Sequence, residues 1–471
     1  MPILTQAFAR TRHFFHLFKI AVTGSEKEFT TGNINRAIFL LSVPMILEMA
    51  MESLFAVVDI YFVSHLGVNA ITAVGLTESV LTLVYTGAMG LSMAATAMIA
   101  RRTGEKDPAA AAHAAMQSLY LGFAVSLLIS IVGFFFAKDI LLIMGASKEV
   151  VDNGYVYTKI LLSGNIVIVL LFLINGIFRG AGDAALAMRA LWIANGLNIL
   201  LCPLLISGLG PIPALGLKGA AIATFIGRGA GVSYQVYHLL KGKNLIRITK
   251  KHLAPAIDVI MSILKIAAGG TAQLLISSAS WIFLVRIISY FGKDAVAGYT
   301  IAIRVVIFTI LPAWGMANAA AALVGQNLGA QQPERAETSA WRAAFFNLVF
   351  LGMIAVIFMV AAPGIIGFFT DEPVVTGYAV QCLRLMSLGY IFFAYGMVLT
   401  QSFNGAGDTR TPTLINLFAL WMWQMPLAWV LAIGLKLGPQ GVFWAIAISE
   451  STVAIAAIVL FRRGTWKKVN I

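Results

Sequence analysis

Gly180-Ala181-Gly182-Asp183 returns as Gly405-Ala406-Gly407-Asp408, an offset of 225 residues. The same offset relates Gly67 to Gly292, Gly90 to Gly315, Gly104 to Gly329, Pro108 to Pro333 and Gly216 to Gly441. One match of this kind could arise by chance. A set sharing one offset, each member at an equivalent boundary between apolar runs, reads as duplication of a single unit.

The surroundings of the repeat set the solvent in which that unit folds. Hydrophobic residues make up 59% of the 471 residues and charged residues 11%, with mean hydropathy +0.88. Soluble chains carry roughly 25% charged residues, so a soluble fold of this make-up would be left with an apolar exterior. A bilayer accepts one, and its hydrocarbon layer of about 30 Å calls for about 20 apolar residues per helix. The expected fold is all-α and polytopic, with twelve transmembrane helices in two pseudo-symmetric six-helix lobes. Apolar runs place the spans of the first lobe at 36–63, 71–100, 110–137, 155–178, 186–207 and 216–240. Those of the second are 258–290, 296–325, 338–369, 374–402, 411–434 and 440–462. This leaves a tail at 1–35, a lobe at 36–240, a basic linker at 241–257, a lobe at 258–462 and a tail at 463–471. The opening stretch does not read as a cleavable signal peptide, because Arg10, Arg12, His13, His16 and Lys19 interrupt it. It is either an interfacial amphipathic helix or a basic tail.

An even number of spans per unit brings both copies into the membrane from the same side. They are then parallel repeats about an axis along the membrane normal, with a cleft between them, and rocking about that cleft gives alternating access. The net charge of +13 is concentrated between spans. Arg10 to Arg36, Arg101 to Lys106, Arg179, Lys241 to Lys251, Arg335, Arg410 and Arg462 to Lys468 fall on one side. Lys138, Lys148, Lys218, Lys293 and Lys436 fall on the other. The bias places both termini in the cytoplasm of a multi-pass plasma-membrane protein, the inner membrane in a bacterium. It leaves no soluble basic domain for nucleic acid. The two cysteines, Cys202 and Cys382, sit within apolar runs and imply neither disulfide framework nor metal cluster.

Charges at membrane depth are costly and are functional candidates by default. Glu48, Glu52 and Asp59 share one face of the first span. They either line an aqueous cavity and bind protons or cationic substrate, or they pair with buried cations such as Lys265, Arg286 or Arg304. Glu78, Arg228, Arg304 and Glu450 are further charges within spans, some of them expected to make interhelical pairs. Glu78 shifted by 225 lands beside Arg304, which makes these two a candidate gate or ion pair across the cleft. Asn195, Asn198, Cys202 and Thr224 add a polar group to the fifth and sixth spans.

Pro44 with Val58-Asp59-Ile60-Tyr61-Phe62-Val63, Arg179-Gly180-Ala181-Gly182-Asp183, Gly325-Gln326-Asn327-Leu328-Gly329-Ala330 and Asn404 through Pro412 appear in order along the chain. As an ordered set they resemble the multidrug and toxic compound extrusion (MATE) family over essentially the whole length. The resemblance implies cation-coupled antiport, with Asp59 at the position central to cation binding. One branch of the family adds an Asn-x-x-x-Asp pair and a threonine, matched here by Asn198 and Thr224, while Cys202 stands where that branch has aspartate. Another branch uses acids on the seventh and tenth spans, where this chain is uncharged near Ser277 and Phe393. The cation-coupling set is therefore Asp59, Glu48, Glu52, Asn198 and Thr224, with protons favoured over sodium.

The expected activity is secondary antiport that exports hydrophobic or cationic small molecules, such as drugs and toxic metabolites, in exchange for protons. The alternative is a flippase or an exporter dedicated to one metabolite or lipid-linked saccharide. No HExxH, nucleophile elbow or phosphate loop is present, which argues against an enzyme. No cofactor is expected, and the protein is expected to be a monomer.

Overall fold

The computed structural model describes residues 2–24, 29–208, 213–241 and 246–471. Lys27, Gly242 and Lys243, which belong to the expected tail and linker, lie outside the described residues. Among the described residues all regular structure is helical. The first half runs α1 (Pro2–Thr23), α2 (Ile34–Ser64), α3 (Val68–Gly104), α4 (Pro108–Ile143), α5 (Lys148–Ser163), α6 (Ile166–Gly180), α7 (Ala184–Ser207) and α8 (Leu217–Lys241). The second runs α9 (Ile257–Ser289), α10 (Lys293–Gly329), α11 (Pro333–Gly367), α12 (Pro373–Leu388), α13 (Tyr390–Gly405), α14 (Arg410–Asn416), α15 (Gln424–Trp429) and α16 (Pro439–Arg462).

Among the described residues ten helices are long and apolar enough to cross a membrane, counting the successive segments of Lys148–Gly180 and of Arg410–Gly434 as one each. The pair α12 and α13, bent by 60°, makes an eleventh. The remaining candidate, α8, is 25 residues long but carries Lys218, Arg228 and Lys241, which lower its hydropathy. Two expected spans, 155–178 and 374–402, are not continuous helices. The first breaks between α5 and α6 at Gly164-Asn165 and the second at Gly389. At the first break the Asn165 amide donates to the Ser126 carbonyl at 3.1 Å and to Ser130 Oγ at 2.9 Å. A side chain satisfying local acceptors in this way competes with a regular helix. Gly164 and Gly389 are themselves 225 residues apart, so the break belongs to the repeated unit.

The duplication is written into the backbone. Gly67 (φ +93°) precedes the 37 residues of α3, and Gly292 (φ +97°) precedes the 37 residues of α10. After those helices Lys106 and Gln331, again 225 apart, share φ +59°. Gly182 and Gly407 agree as well, at +83° and +88°. Much of the apolar interior follows this division, one cluster running from Val63 to Ala267 and another from Leu284 to Ile446, while a third joins Leu40 and Met45 of α2 to Ala317 and Ala320 of α10 across the halves.

The two halves meet at the face where α3, α6, α10 and α13 end. Gly325 packs on Ala100, and the Gln326 amide donates to the Gly180 carbonyl at 2.9 Å. The tail after α16 closes the same seam: Arg101 Nη2 donates to the Val469 carbonyl at 2.9 Å and Arg102 Nη2 to that of Ile471 at 3.0 Å. Toward the opposite face Glu78 on α3 and Arg304 on α10 are both exposed. The halves are thus joined at one end and apart at the other. Helix α1 lies beside α2, with Ala21 buried and the Phe14 ring 5.6 Å from that of Phe39, while Phe14, Phe15 and Phe18 keep exposed surface.

Candidate functional site

The acidic stripe of α2 faces the interior of the first half. Glu48 is fully buried, Asp59 is 8% exposed, and the side chain of Glu52 is 21% exposed. The helices that enclose the stripe approach closely because small residues line their contact. A Cβ at Gly227 of α8 would sit 2.5 Å from the Ala194 carbonyl and 3.1 Å from the Asn198 Cβ of α7. That approach delivers Arg228, one residue on, to the same depth as α2.

Each of the first two acids has an arginine. Glu48 Oε1 accepts from Arg179 Nη2 at 2.5 Å and from the Asn175 amide at 2.7 Å. Glu52 Oε1 accepts from Arg228 Nη2 at 3.0 Å, and its Oε2 accepts from the Asn195 amide at 2.8 Å. A buried charge of either sign is tolerated only when paired and hydrogen-bonded, and both pairs meet that condition. The expected partners Lys265, Arg286 and Arg304 are exposed, and among the described residues none of them pairs with these acids. The reason lies in position along the helices: Arg304 stands eleven residues before Gly315, where α10 packs on Met45 of α2, and Arg286 lies in the last turn of α9, whereas Arg179 and Arg228 reach the acids from α6 and α8. Arg179 had counted as a loop residue that sets orientation, yet it is buried in the last turn of α6. Three acids on one buried stripe demand cations nearby, and that charge balance is the signal that would have found it.

Arg228 has a second set of neighbours. Its guanidinium carbon stands 5.3 Å from the ring centre of Phe55 and 5.7 Å from those of Tyr85 and Phe172. Its Nε and Nη1 have no hydrogen-bond acceptor among the described residues, so the aromatic faces supply the remaining electrostatic compensation.

Asp59 differs from its neighbours on the stripe. It meets the Cys202 thiol, with Sγ 3.8 Å from Oδ1. Asn198, four residues before Cys202 on α7, donates to Thr224 Oγ1 at 3.0 Å. The structure therefore brings Asp59, Cys202, Asn198 and Thr224 onto the facing surfaces of α2, α7 and α8. Glu78 and Arg304 are not brought together, and neither has an ion-pair partner among the described residues. Glu450, expected to share in interhelical pairing, also has none. No group of three or more His, Cys, Asp or Glu side chains able to hold a metal occurs among the described residues.

An open space of about 700 Å³, its mouth included, lies between the halves above the seam, lined by Met49, Met93, Phe172, Arg179, Trp314 and Asn404 among others. Its walls are largely apolar with a few amides, the usual make-up of a small-molecule cavity.

The MatE family model matches the chain twice, over residues 44–204 and 270–430. The probable multidrug resistance protein YoeA of Bacillus subtilis (strain 168) is 24% identical over 440 residues, covering 93% of this chain and 95% of that protein. The multidrug export protein MepA of Staphylococcus aureus (strain NCTC 8325 / PS 47) is 23% identical over 437 residues, covering 92% and 94%. Among solved structures, an outward-facing conformation of a multidrug resistance MATE family transporter of the MOP superfamily superposes with a TM-score of 0.88. It is 29% identical, with 94% of this chain and 99% of that one covered.

Proposed function

The chain belongs to the MatE (multidrug and toxic compound extrusion) family, and we propose that it exports hydrophobic or cationic small molecules in exchange for protons. It is a multi-pass membrane protein and a secondary transporter for small-molecule efflux, not an enzyme. On this reading α8 is the twelfth span, its Arg228 being carried into the membrane by Glu52 and the aromatic faces. The lobes are 36–240 and 258–462, joined by the linker at 241–257. Both termini lie in the cytoplasm of a plasma-membrane monomer, and the seam of α3, α6, α10 and α13 is the closed cytoplasmic gate.

The observation that carries proton coupling is the difference between the three acids of α2. Glu48 and Glu52 each hold an arginine in hydrogen-bond contact, so their charges are committed to holding the lobe together. Asp59 has a thiol instead. A carboxyl in that setting can gain or lose a proton without breaking an ion pair. Asn198 and Thr224 satisfy each other, and Cys202 stands in place of another carboxylate. This is a poor donor set for sodium, a hard cation best served by several oxygens.

Proteoliposomes loaded with a cationic dye, under separately imposed proton and sodium gradients, test the proposal. Efflux is expected under the proton gradient in sodium-free buffer, with competition by unrelated drugs. Strict dependence on sodium would overturn the coupling, and transport of a single metabolite would overturn the breadth of substrate.

A further inference from the structure

The seam between the halves is symmetric in plan and asymmetric in detail. The Gln326 amide of α10 donates to the Gly180 carbonyl at 2.9 Å. Arg101 of α3, its counterpart one repeat earlier, donates to the Ala406 carbonyl at 3.4 Å, so the two contacts mirror each other to within one residue. The longer guanidinium of Arg101 also reaches the Val469 carbonyl, at 2.9 Å, and its neighbour Arg102 donates to that of Ile471 at 3.0 Å. These extra acceptors belong to the segment that follows α16.

That segment starts out fixed to the second half. Gly464 turns the chain at φ +72°, and a single helical turn follows at Thr465–Lys468. Trp466 in this turn is fully buried, its ring 4.4 Å from that of Phe461 and its Nε1 donating to the Phe461 carbonyl at 2.9 Å. Lys467 Nζ pairs with Glu337 at 2.6 Å and with Glu334 at 3.0 Å, both on α11. Beyond this anchor the chain leaves its own half. Ile471 rests on the turn at Gly407, where a Cβ would come within 2.5 Å of its Cγ2, and packs against the apolar cluster of the first half. Its counterpart one repeat earlier is Ile246, which is fully buried in that same cluster. The first copy of the segment therefore docks on its own half, and the second docks across the seam.

A segment anchored in one half and bonded to the other resists their separation. Parting the seam takes both guanidinium groups away from their carbonyls and uncovers Ile471. Hydrogen bonds from a charged donor are stronger than neutral ones, and these exist only while the seam is shut. We propose that Arg101 and Arg102 are positioning residues of the transport cycle, strapping segment 469–471 across the closed seam and setting how rarely it opens to the cytoplasm. This inference rests on the export reading above, in which the seam is the cytoplasmic gate, and adds the residues that govern its opening.

Ala321 borders the central space just above the seam and supplies the probe. A cysteine placed there, exposed to a membrane-impermeant maleimide in inside-out vesicles, reacts only through an open seam. Its labelling rate follows the population of that state when opening and closing are fast. Cys202 and Cys382 are fully buried, and the chain without the added cysteine gives the background. Arg101→Gln, which copies Gln326, and Arg102→Gln should each speed labelling roughly fivefold or more. Deletion of 469–471 should speed it at least as much as both together, and in the deleted chain Arg102→Gln should add nothing further, its partner being gone. Melting temperatures should stay unchanged. If Arg101→Gln does not fold, Arg102→Gln, on a half-buried side chain, carries the test. Wild-type labelling in Arg102→Gln and in the deleted chain would overturn the proposal, whether or not the melting temperature falls. So would an Arg102→Gln effect that persists in full after the deletion. The measurement uses neither substrate nor gradient: faster labelling without efflux defeats the export reading alone, and normal efflux with unchanged labelling defeats this inference alone.

Discussion

Gly104 and Gly329, one repeat apart in sequence, are packed reciprocally: each backbone rests on the end of the helix that carries the other. A Cβ on Gly104 would overlap the Gln326 carbonyl of α10, and one on Gly329 would overlap the Arg101 carbonyl of α3. The overlap is with backbone on both sides, so no rotamer change relieves it. The seam between the halves depends on two missing side chains.

Gly329→Val should therefore disfavour the joined seam without harming either half. Overpacking costs about 1–3 kcal/mol, which shifts a two-state equilibrium by roughly fivefold to a hundredfold. The variant should insert and melt normally, while a single cysteine placed at position 78, at the open end, becomes slower to label. Unchanged labelling would show that the seam does not control opening.

Asp59→Asn should abolish uphill efflux while leaving insertion and melting temperature intact, since Asp59 anchors no arginine. Downhill movement of substrate should persist. Wild-type accumulation against a gradient in this variant would remove Asp59 from the coupling step.

The opposite behaviour is expected of the pair beneath it. Arg179→Ala leaves the fully buried Glu48 without its cation, and breaking such a pair costs about 3–5 kcal/mol. The single variant should express poorly and melt lower in detergent. The double variant Glu48→Gln with Arg179→Met should recover most of the loss. Equal melting of Arg179→Ala and wild type would contradict a stabilising role.

Glu78 and Arg304 are exposed and apart in the present conformation. If they latch the outer face when it shuts, cysteines at both positions should crosslink only when conditions favour the state with the seam open. A charge-swapped double variant that is no more active than either single reversal would dismiss the latch.

Much of this architecture was legible in the sequence because it rests on composition and on a repeat. Most apolar runs match the long helices to within about five residues at their ends, though α4 runs on to Ile143 and α5 begins at Lys148, six and seven residues beyond the expected bounds. Glycines at a single offset mark shared backbone turns such as Gly67 and Gly292. What stayed hidden was pairing. That Glu48, Glu52 and Asp59 share a face follows from helical periodicity. Which cation meets which acid depends on how far Arg179 of α6 and Arg228 of α8 reach toward α2, and no spacing within one helix encodes that. The breaks at Gly164 and Gly389 escaped for a related reason, since an apolar run continues through each and only side-chain hydrogen bonding at the first and the 60° bend at the second reveal them. Glu450 stood out as a charge in a span, but its lack of a partner is visible only in three dimensions.

The equal length of α3 and α10 has a mechanical consequence. Each has 37 residues, and at 1.5 Å per residue each is a lever about 55 Å long with its fulcrum at the Gly104 and Gly329 seam. A tilt of about 10° at such a fulcrum carries the far end through roughly 10 Å, comparable with the diameter of a helix. An opening wide enough for a drug-sized molecule thus requires only slight sliding where the glycines touch, and neither helix has to bend.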